Sequence, residues 1–132
     1  MRINIDSQIP IFIQLAEIVE DNILNGIYDE ETQIPSTTEV AVALKVNPAT
    51  INRGVNLLVE RGIVYKKRGV GMFVCNGARE KIRARRRKAF LSDFLQPLLE
   101  EARNLGISKS EVIAMLNGYN SEETNQRRSA DE

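Results

Sequence analysis

The stretch IPSTTEVAVALKVNPATINRGVNLLVERGIVYKKRGVGMFVC, residues 34–75, contains two signals for the start of a helix. Ser36 and Glu39 have the spacing of a capping box, in which each side chain accepts a backbone N–H of the first helical turn. Asn47 and Pro48 predict a second start, because asparagine caps helices well and proline suits the first helical position. Gly62 predicts the end of this second helix. Two helices joined by about three to four residues have the spacing of a helix-turn-helix.

The second helix of this pair is amphipathic. Ile51, Val55 and Leu58 recur at the helical period and predict a buried stripe. The opposite side carries amide and guanidinium groups, which can pair with base edges, asparagine with adenine and arginine with guanine. This polar side consists of Ala49, Asn52, Arg53 and Asn56. Taken alone it could also be an ordinary solvated face, although such faces more usually carry Glu and Lys.

A β-hairpin is predicted directly after Gly62. Two β-rich segments flank Arg68-Gly-Val-Gly71, where the glycines permit the positive φ of a turn. Lys66, Lys67 and Arg68 fall at the tip, where a wing would meet phosphates. Since a third glycine and a following helix are missing, the glycine pair is not a dinucleotide-binding fingerprint. A hairpin after a helix-turn-helix is typical of a winged helix domain.

The charges are strongly segregated, although the 132 residues have no net charge. Residues 45–88 contain 13 basic and 2 acidic residues, whereas both flanking segments are acidic. A basic middle predicts an oriented face for a polyanion such as double-stranded DNA. Within it, residues 79–88 hold seven basic residues and one acidic residue. They form either a solvated helical face or a phosphate contact beside the wing.

The composition argues against several classes of protein. Without histidine the chain has no His-based catalytic triad or His-ligated metal site, and we expect no enzyme activity, metal or cofactor. The single cysteine, Cys75, lies in an apolar run and is expected to be a structural thiol. With no signal peptide and no apolar run long enough to span a membrane, we expect a cytoplasmic protein without membrane contact.

The N-terminal segment is predicted to support the helix-turn-helix. Residues 1–9 suggest an extended arm, and Pro10 opens a helix that ends at Gly26. Apolar residues recur along this helix at helical spacing, while Glu17, Glu20 and Asp21 are expected to face water.

Two further helices are predicted after residue 89. The first ends at Gly106 and contains Pro97, which predicts a kink or a break. The second opens at a capping box formed by Ser108 and Glu111. We expect both to pair with a second copy by twofold symmetry, the alternative being that they fold back on the winged domain. The predicted dimer interface consists of Leu91, Phe94, Leu95, Leu98, Leu99, Ala102, Val112, Ile113 and Leu116.

The predicted fold class is therefore mainly α with a small β-hairpin. A winged helix-turn-helix domain occupies residues 1–76, a two-helix dimerisation segment residues 77–118, and a disordered tail residues 119–132.

These motifs, in this order, resemble the GntR family of bacterial transcription regulators and its short YtrA-type subfamily. The resemblance covers about residues 3–117. It implies a homodimeric repressor that binds DNA sequence-specifically, with the C-terminal helices forming the dimer, and that often controls operons with membrane transport genes. Two symmetric recognition helices would require an inverted-repeat operator. Matching segments include Ile9-Pro-Ile-Phe-Ile-Gln-Leu-Ala16, Val46-Asn-Pro-Ala-Thr-Ile-Asn-Arg53, Leu58-Val-Glu-Arg-Gly-Ile-Val64 and Arg68-Gly-Val-Gly-Met-Phe-Val74.

The resemblance also implies roles for single residues. Ser36 and Thr37 would meet phosphates, and Gly69 and its neighbours would approach the minor groove. The residues that would enter the major groove or flank it are Asn47, Ala49, Thr50, Asn52 and Arg53. Thr38 stands where the family usually has an arginine, so other residues must supply that contact. The predicted DNA contacts are Ser36, Thr37, Thr38, Asn47, Pro48, Ala49, Thr50, Asn52, Arg53, Asn56, Lys66, Lys67, Arg68 and Gly69.

Two questions stay open from the sequence. About fifty-five residues follow the wing, too few for the large effector domains of longer family members. A small-molecule effector would need a pocket between the C-terminal helices or at the dimer interface, and no ligand signature is visible. The alternative function is a winged-helix module that binds another protein.

Overall fold

The computed structural model describes residues 3–119, so the predicted tail lies, apart from Tyr119, outside the described residues. Three short antiparallel strands form one sheet in the order β1-β3-β2. The mainly helical fold with a small sheet is confirmed, although β1 was not predicted. The elements are α1 (Ile11–Leu24), β1 (Gln33–Ile34), α2 (Thr37–Leu44), α3 (Pro48–Glu60), β2 (Val64–Lys67), β3 (Gly71–Val74), α4 (Ala78–Phe90), a π-helical turn (Leu91–Leu95), α5 (Gln96–Asn104) and α6 (Lys109–Gly118).

The chain forms two compact units, one ending at Lys88 and the other starting at Ala89. Most of α4 therefore groups with the winged domain, twelve residues beyond the predicted domain end at 76. The reason is packing, because Ala78 and Ile82 are fully buried in the core of the first unit. We call residues 3–88 the winged unit and residues 89–119 the C-terminal unit.

The two predicted helix starts of the helix-turn-helix are confirmed. The Ser36 hydroxyl accepts the Glu39 N–H at 3.1 Å, and the Glu39 carboxylate accepts the Ser36 N–H at 3.4 Å. Asn47 caps α3 by accepting the Ala49 N–H at 2.9 Å. Between the helices, Lys45 adopts a left-handed conformation with φ 55°, which ends α2 and turns the chain toward α3.

The core of the winged unit places α3 against α1. The predicted stripe of α3, Ile51, Val55 and Leu58, is buried. Gly54 allows the two helices to approach closely, because a Cβ there would lie 2.6 Å from Leu15 Cδ2 and 2.9 Å from the Phe12 carbonyl oxygen. On the opposite side of α3, Ala49, Asn52 and Asn56 are exposed.

Two expectations for the N-terminal segment were wrong. Glu20 does not face water but is fully buried, because arginines from α3 and α4 surround its carboxylate. Residues 3–9 form turns rather than an extended arm. They are held by Gln14, whose side chain accepts the Asn4 N–H at 2.7 Å and donates to the Ile9 carbonyl at 2.8 Å.

The C-terminal unit shows how the helix accommodates Pro97. The backbone stays helical from residue 89 to Asn104, with the wide π turn immediately before α5. Proline lacks the N–H that an α-helix would bond to the carbonyl four residues earlier, and its ring clashes with that carbonyl. The wider turn at this point gives the ring room, although the hydrogen bond is still lost. The helix is therefore not broken. Gly106, with φ 71°, ends it, and Ser108 caps α6 by accepting the Glu111 N–H at 3.1 Å.

Candidate nucleic-acid interface

Three elements of the winged unit meet on one surface: the start of α2, the first half of α3 and the β2–β3 hairpin. Thr37 Oγ1 donates to Asn52 Oδ1 at 3.4 Å, which joins the start of α2 to α3. Lys66 Nζ donates to Asn56 Oδ1 at 3.3 Å, which joins the hairpin to α3. The structure therefore brings together residues from all three predicted groups of DNA contacts.

The exposed face of α3 is polar and lacks carboxylates from Pro48 to Asn56. Ala49, Asn52 and Asn56 are exposed, and Thr50 is half-buried at the edge. Asn47 already uses its side-chain oxygen as the N-cap, so its amide nitrogen is the group that can donate to a ligand. This surface offers hydrogen bonds of both kinds without the negative charge that would repel phosphates.

The start of α2 adds hydroxyl groups beside this face. Ser36 is the N-cap, Thr37 contacts Asn52, and Thr38 is exposed in the first turn. A helix N-terminus presents backbone N–H groups and a positive dipole end, which favour an anion. This end of α2 therefore suits a phosphate.

The hairpin tip carries the exposed side chains of Lys66, Lys67 and Arg68, next to Gly69 with φ 76°. Gln33 of β1 steadies the tip by donating from its amide to the Val70 carbonyl at 2.9 Å. Sequence reasoning missed Gln33, because a two-residue strand leaves no alternating pattern to detect.

Comparison with known proteins supports a DNA-binding role for this arrangement. The family model described as "Bacterial regulatory proteins, gntR family" matches residues 13–74. The structure is similar to that of a transcriptional regulator of the GntR family from Bacteroides thetaiotaomicron, with a TM-score of 0.63 and 36% sequence identity. The similarity covers 89% of this chain and 98% of that one. The chain belongs to the GntR family.

Two curated relatives are also transcriptional regulators. The transcriptional regulator YurK of Bacillus subtilis is 32% identical over 72 residues, which are 54% of this chain but only 30% of YurK. The transcriptional repressor YtrA of the same organism is 25% identical over 101 residues, covering 76% of this chain and 77% of YtrA. The chain thus spans less than a third of YurK and most of YtrA.

The structure is also similar to one that contains an operator. The DNA-binding domain of AraR in complex with operator ORX1 has a TM-score of 0.50 and 28% identity, covering 52% of this chain and 82% of that one. As a member of the GntR family, the chain is a DNA-binding transcriptional regulator. Since the family and these relatives are regulators, it is not an enzyme.

Arg53 is exposed on α3 of this GntR regulator, but its guanidinium lies over the Phe12 ring of α1. Its guanidinium carbon lies 4.1 Å from the centroid of the Phe12 ring, a cation–π stack. To read bases as predicted, the Arg53 guanidinium would have to reach the DNA while stacked on Phe12, or leave the stack. Phe12 was missed in the sequence, where it reads as one more apolar residue of α1.

Much of the basic segment 79–88 binds the protein itself, which neither interpretation from the sequence anticipated. Arg85 and Arg86 bind carboxylates of α1, and Arg79 donates to the Ile23 carbonyl at 3.3 Å. Lys81 Nζ contacts the Gly62 carbonyl at 3.4 Å. Within this segment, the exposed basic residues that make no such contact with other residues from 3 to 119 are Arg83, Arg87 and Lys88.

Cys75 and Tyr65, in or next to the sheet, both have a raised pKa, which indicates structural rather than reactive roles. Burial raises the pKa of the Cys75 thiol above its ordinary value, which disfavours the nucleophilic thiolate. Burial and the nearby Glu31 carboxylate raise the pKa of Tyr65. Among the described residues we find no cluster of side chains able to hold a metal ion, and no helix long and apolar enough to cross a membrane.

Proposed function

We propose that the chain is a homodimeric repressor that binds an inverted-repeat operator in double-stranded DNA. The observation that supports this most strongly is the continuous surface formed by α2, α3 and the wing. Its centre carries Asn52 and Asn56, which are exposed and linked to the neighbouring elements by hydrogen bonds. Such a surface suits base reading at its centre and phosphate contact at its edges.

The proposed mechanism divides the contacts by chemistry. Residues 48–56 of α3 enter the major groove, where the amides of Asn52 and Asn56 read base edges. The start of α2 holds one phosphate, and Lys66, Lys67 and Arg68 neutralise others beside the wing. Bound in this way over a promoter, the protein would block transcription in the cytoplasm. The family resemblance makes an operon with membrane transport genes the expected target.

The proposed dimer rests on the C-terminal unit, which exposes large apolar side chains. Leu91, Phe94 and Leu116 are each more than 60% exposed. A patch of this kind usually marks an interaction site, and a second copy would cover it by twofold symmetry. Two of the predicted interface residues, Ala102 and Val112, are buried within the chain, and we assign them to the packing of α5 on α6. The other predicted interface residues are exposed: Leu91, Phe94, Leu95, Leu98, Leu99, Ile113 and Leu116.

An open apolar groove of about 380 Å³ lies between α5 and α6. It is lined by residues that include Leu98, Leu105 and Met115. In the proposed dimer, side chains of the second copy fill this groove. A small-molecule effector, if the protein uses one, would bind here and compete with the dimer contact.

The test of base reading compares single-residue variants on operator and random DNA. Asn52→Ala should weaken operator binding about tenfold to a hundredfold, the range for a lost bidentate base contact. Its binding to a random duplex should stay within about twofold, because phosphate contacts supply non-specific affinity. Lys67→Ala should instead weaken binding to both duplexes and flatten the salt dependence.

Asn25→Ala offers a matched control, because Asn25 is an exposed asparagine at the opposite end of α1 from Phe12. It should bind both duplexes like the unmodified protein. Equal losses on operator and random DNA for Asn52→Ala would contradict the proposed reading by α3.

A further inference from the structure

Glu20 is a fully buried carboxylate at the centre of an ionic cluster in the winged unit. Arg85 Nη2 contacts both of its oxygens, at 2.5 and 2.6 Å. Arg61 and Arg86 approach Oε1 at 3.4 and 3.6 Å. Neither the DNA-binding surface nor the apolar core accounts for a carboxylate in this position, since an apolar side chain would fill the same space at lower cost.

The partners of Glu20 come from two different helices. Arg61 is the C-cap of α3, at the opposite end from the residues proposed to read bases. Arg85 and Arg86 belong to α4, where they follow the buried Ala78 and Ile82 at helical spacing. Arg86 also donates to Asp21 at 2.7 Å. The cluster therefore joins α1, α3 and the last part of α4 that belongs to the winged unit.

A buried carboxylate tolerates few arrangements of its neighbours. Its negative charge must be matched by well-placed hydrogen-bond donors. An arginine that contacts both carboxylate oxygens is restricted in its direction as well as in its distance. Apolar contacts at Ala78 and Ile82 hold the first half of α4 but are less directional. The ionic cluster is the last attachment of α4 before Ala89, where the C-terminal unit begins.

We propose that Glu20 is a positioning residue that fixes the direction in which α4 leaves the winged unit, and thereby sets the spacing of the two half-sites that the dimer accepts. This inference rests on the proposed dimeric binding of an inverted repeat. The 13 residues of α4 span about 20 Å. A swing of about 10° about Ile82, which the core holds, moves Phe90 at the far end of α4, about 12 Å away, by about 2 Å. This displacement is more than half of the 3.4 Å rise of one base pair along a strand.

The experiment uses duplexes that carry the half-site selected by the unmodified full-length protein. One set holds two inverted half-sites whose separation varies in steps of one base pair, and a further duplex holds a single half-site. Glu20→Gln removes the negative charge but leaves three arginines without their carboxylate partner, so this variant can fail to fold. Arg85→Met is therefore the main variant, because Glu20 keeps Arg61 and Arg86 as partners.

Arg83→Met is the matched control. Arg83 lies on the same helix, two residues away, is exposed, and makes no hydrogen bond or ion pair with other residues from 3 to 119. Both variants remove one positive charge, so a difference between them does not come from net charge. Circular dichroism of each variant checks that the helical content is retained.

The inference predicts that the unmodified protein and Arg83→Met have a sharp spacing optimum. Arg85→Met should lose about tenfold in affinity at that optimum and accept neighbouring spacings almost equally, because avidity depends on the geometry that joins the two sites. Its affinity for the single half-site should change by less than about twofold.

Two results would overturn the inference. An unchanged spacing optimum in Arg85→Met would show that the cluster does not set the spacing. An equal loss on the single half-site would show that it acts on the reading surface instead. If the unmodified protein has no preference for two inverted half-sites, the proposed function itself fails, which is a separate and recognisable outcome.

Discussion

The winged unit and the C-terminal unit differ in what their apolar side chains contact. In the winged unit Leu15, Ile51 and Leu58 are at most 1% exposed and form a closed core. In the C-terminal unit Phe94 is 66% exposed and Leu116 is 63% exposed, although the surrounding helices are well formed. The comparison suggests that the first unit is stabilised by its own packing, whereas the second needs a further surface to cover its apolar residues.

The largest expected effect is on the core of the winged unit. Leu58→Ala should lower the free energy of unfolding by about 2–5 kcal/mol, because it removes buried methyl groups and leaves a cavity. The matched change Leu116→Ala should lower the free energy of unfolding by well under half as much. Urea unfolding followed by circular dichroism measures both changes. Comparable losses at the two leucines would remove the distinction between the units.

The next largest effect is on self-association rather than on folding. Leu98→Glu should weaken self-association by about thirtyfold or more, since a charge would be buried in the proposed dimer contact. Analytical ultracentrifugation over a range of concentrations measures this change. Ile27→Glu is the control, because Ile27 is an exposed apolar residue of the winged unit, and it should leave self-association unchanged. A Leu98→Glu protein that associates normally would argue against a dimer through α5.

A smaller effect concerns the close contact of α1 and α3. Gly54→Ala should destabilise the protein by about 1–3 kcal/mol, because the added Cβ would overlap Leu15 and the Phe12 carbonyl. Gly118→Ala at the end of α6 meets no atom within 4 Å and should be neutral or slightly stabilising. Thermal melts of the two variants measure the difference, and a Gly54→Ala protein as stable as the parent would show that α1 and α3 can separate slightly.

The smallest predicted effect is a pH dependence confined to the winged unit. Hydrogen bonds from the Gly77 and Arg79 N–H groups at the start of α4 lower the pKa of Glu30 below its ordinary value of 4.5. Because the folded-state pKa is depressed, the stabilisation is present above pH 4.5 and is lost as the pH falls through the folded-state pKa.

Glu30→Gln should therefore reduce the loss of stability on acidification, measured by urea unfolding at a series of pH values. Glu100→Gln, in the C-terminal unit, controls for the removal of one carboxylate. A parent and a Glu30→Gln variant with the same acid dependence would contradict a role for Glu30 at the start of α4.

The local features of the fold could be predicted from the sequence. The caps at Ser36 and Asn47 depend on residues within three positions, and the buried stripe of α3 depends on a repeat within one helix. The glycine-marked turn of the wing is equally local. These signals need no knowledge of what the helix or hairpin packs against, so the winged fold and its family were predictable.

The features that were missed or wrong depend on distant partners. Glu20 was expected in water, yet Arg85 binds it from 65 positions further along the chain. The stack of Arg53 on Phe12 joins α3 to α1, and a pattern within either helix does not reveal it. The predicted DNA contacts stay predictions, since base reading depends on the shape and sequence of a duplex as well as on the exposed side chains.

The most direct test of the account is selection of the purified protein against a random duplex library at about 150 mM salt, where non-specific phosphate binding is weakened. The account predicts enrichment of an inverted repeat with one preferred half-site spacing. Binding without enrichment of any sequence, with an affinity that simply falls as salt increases, would contradict the proposal of a dimer that reads an operator.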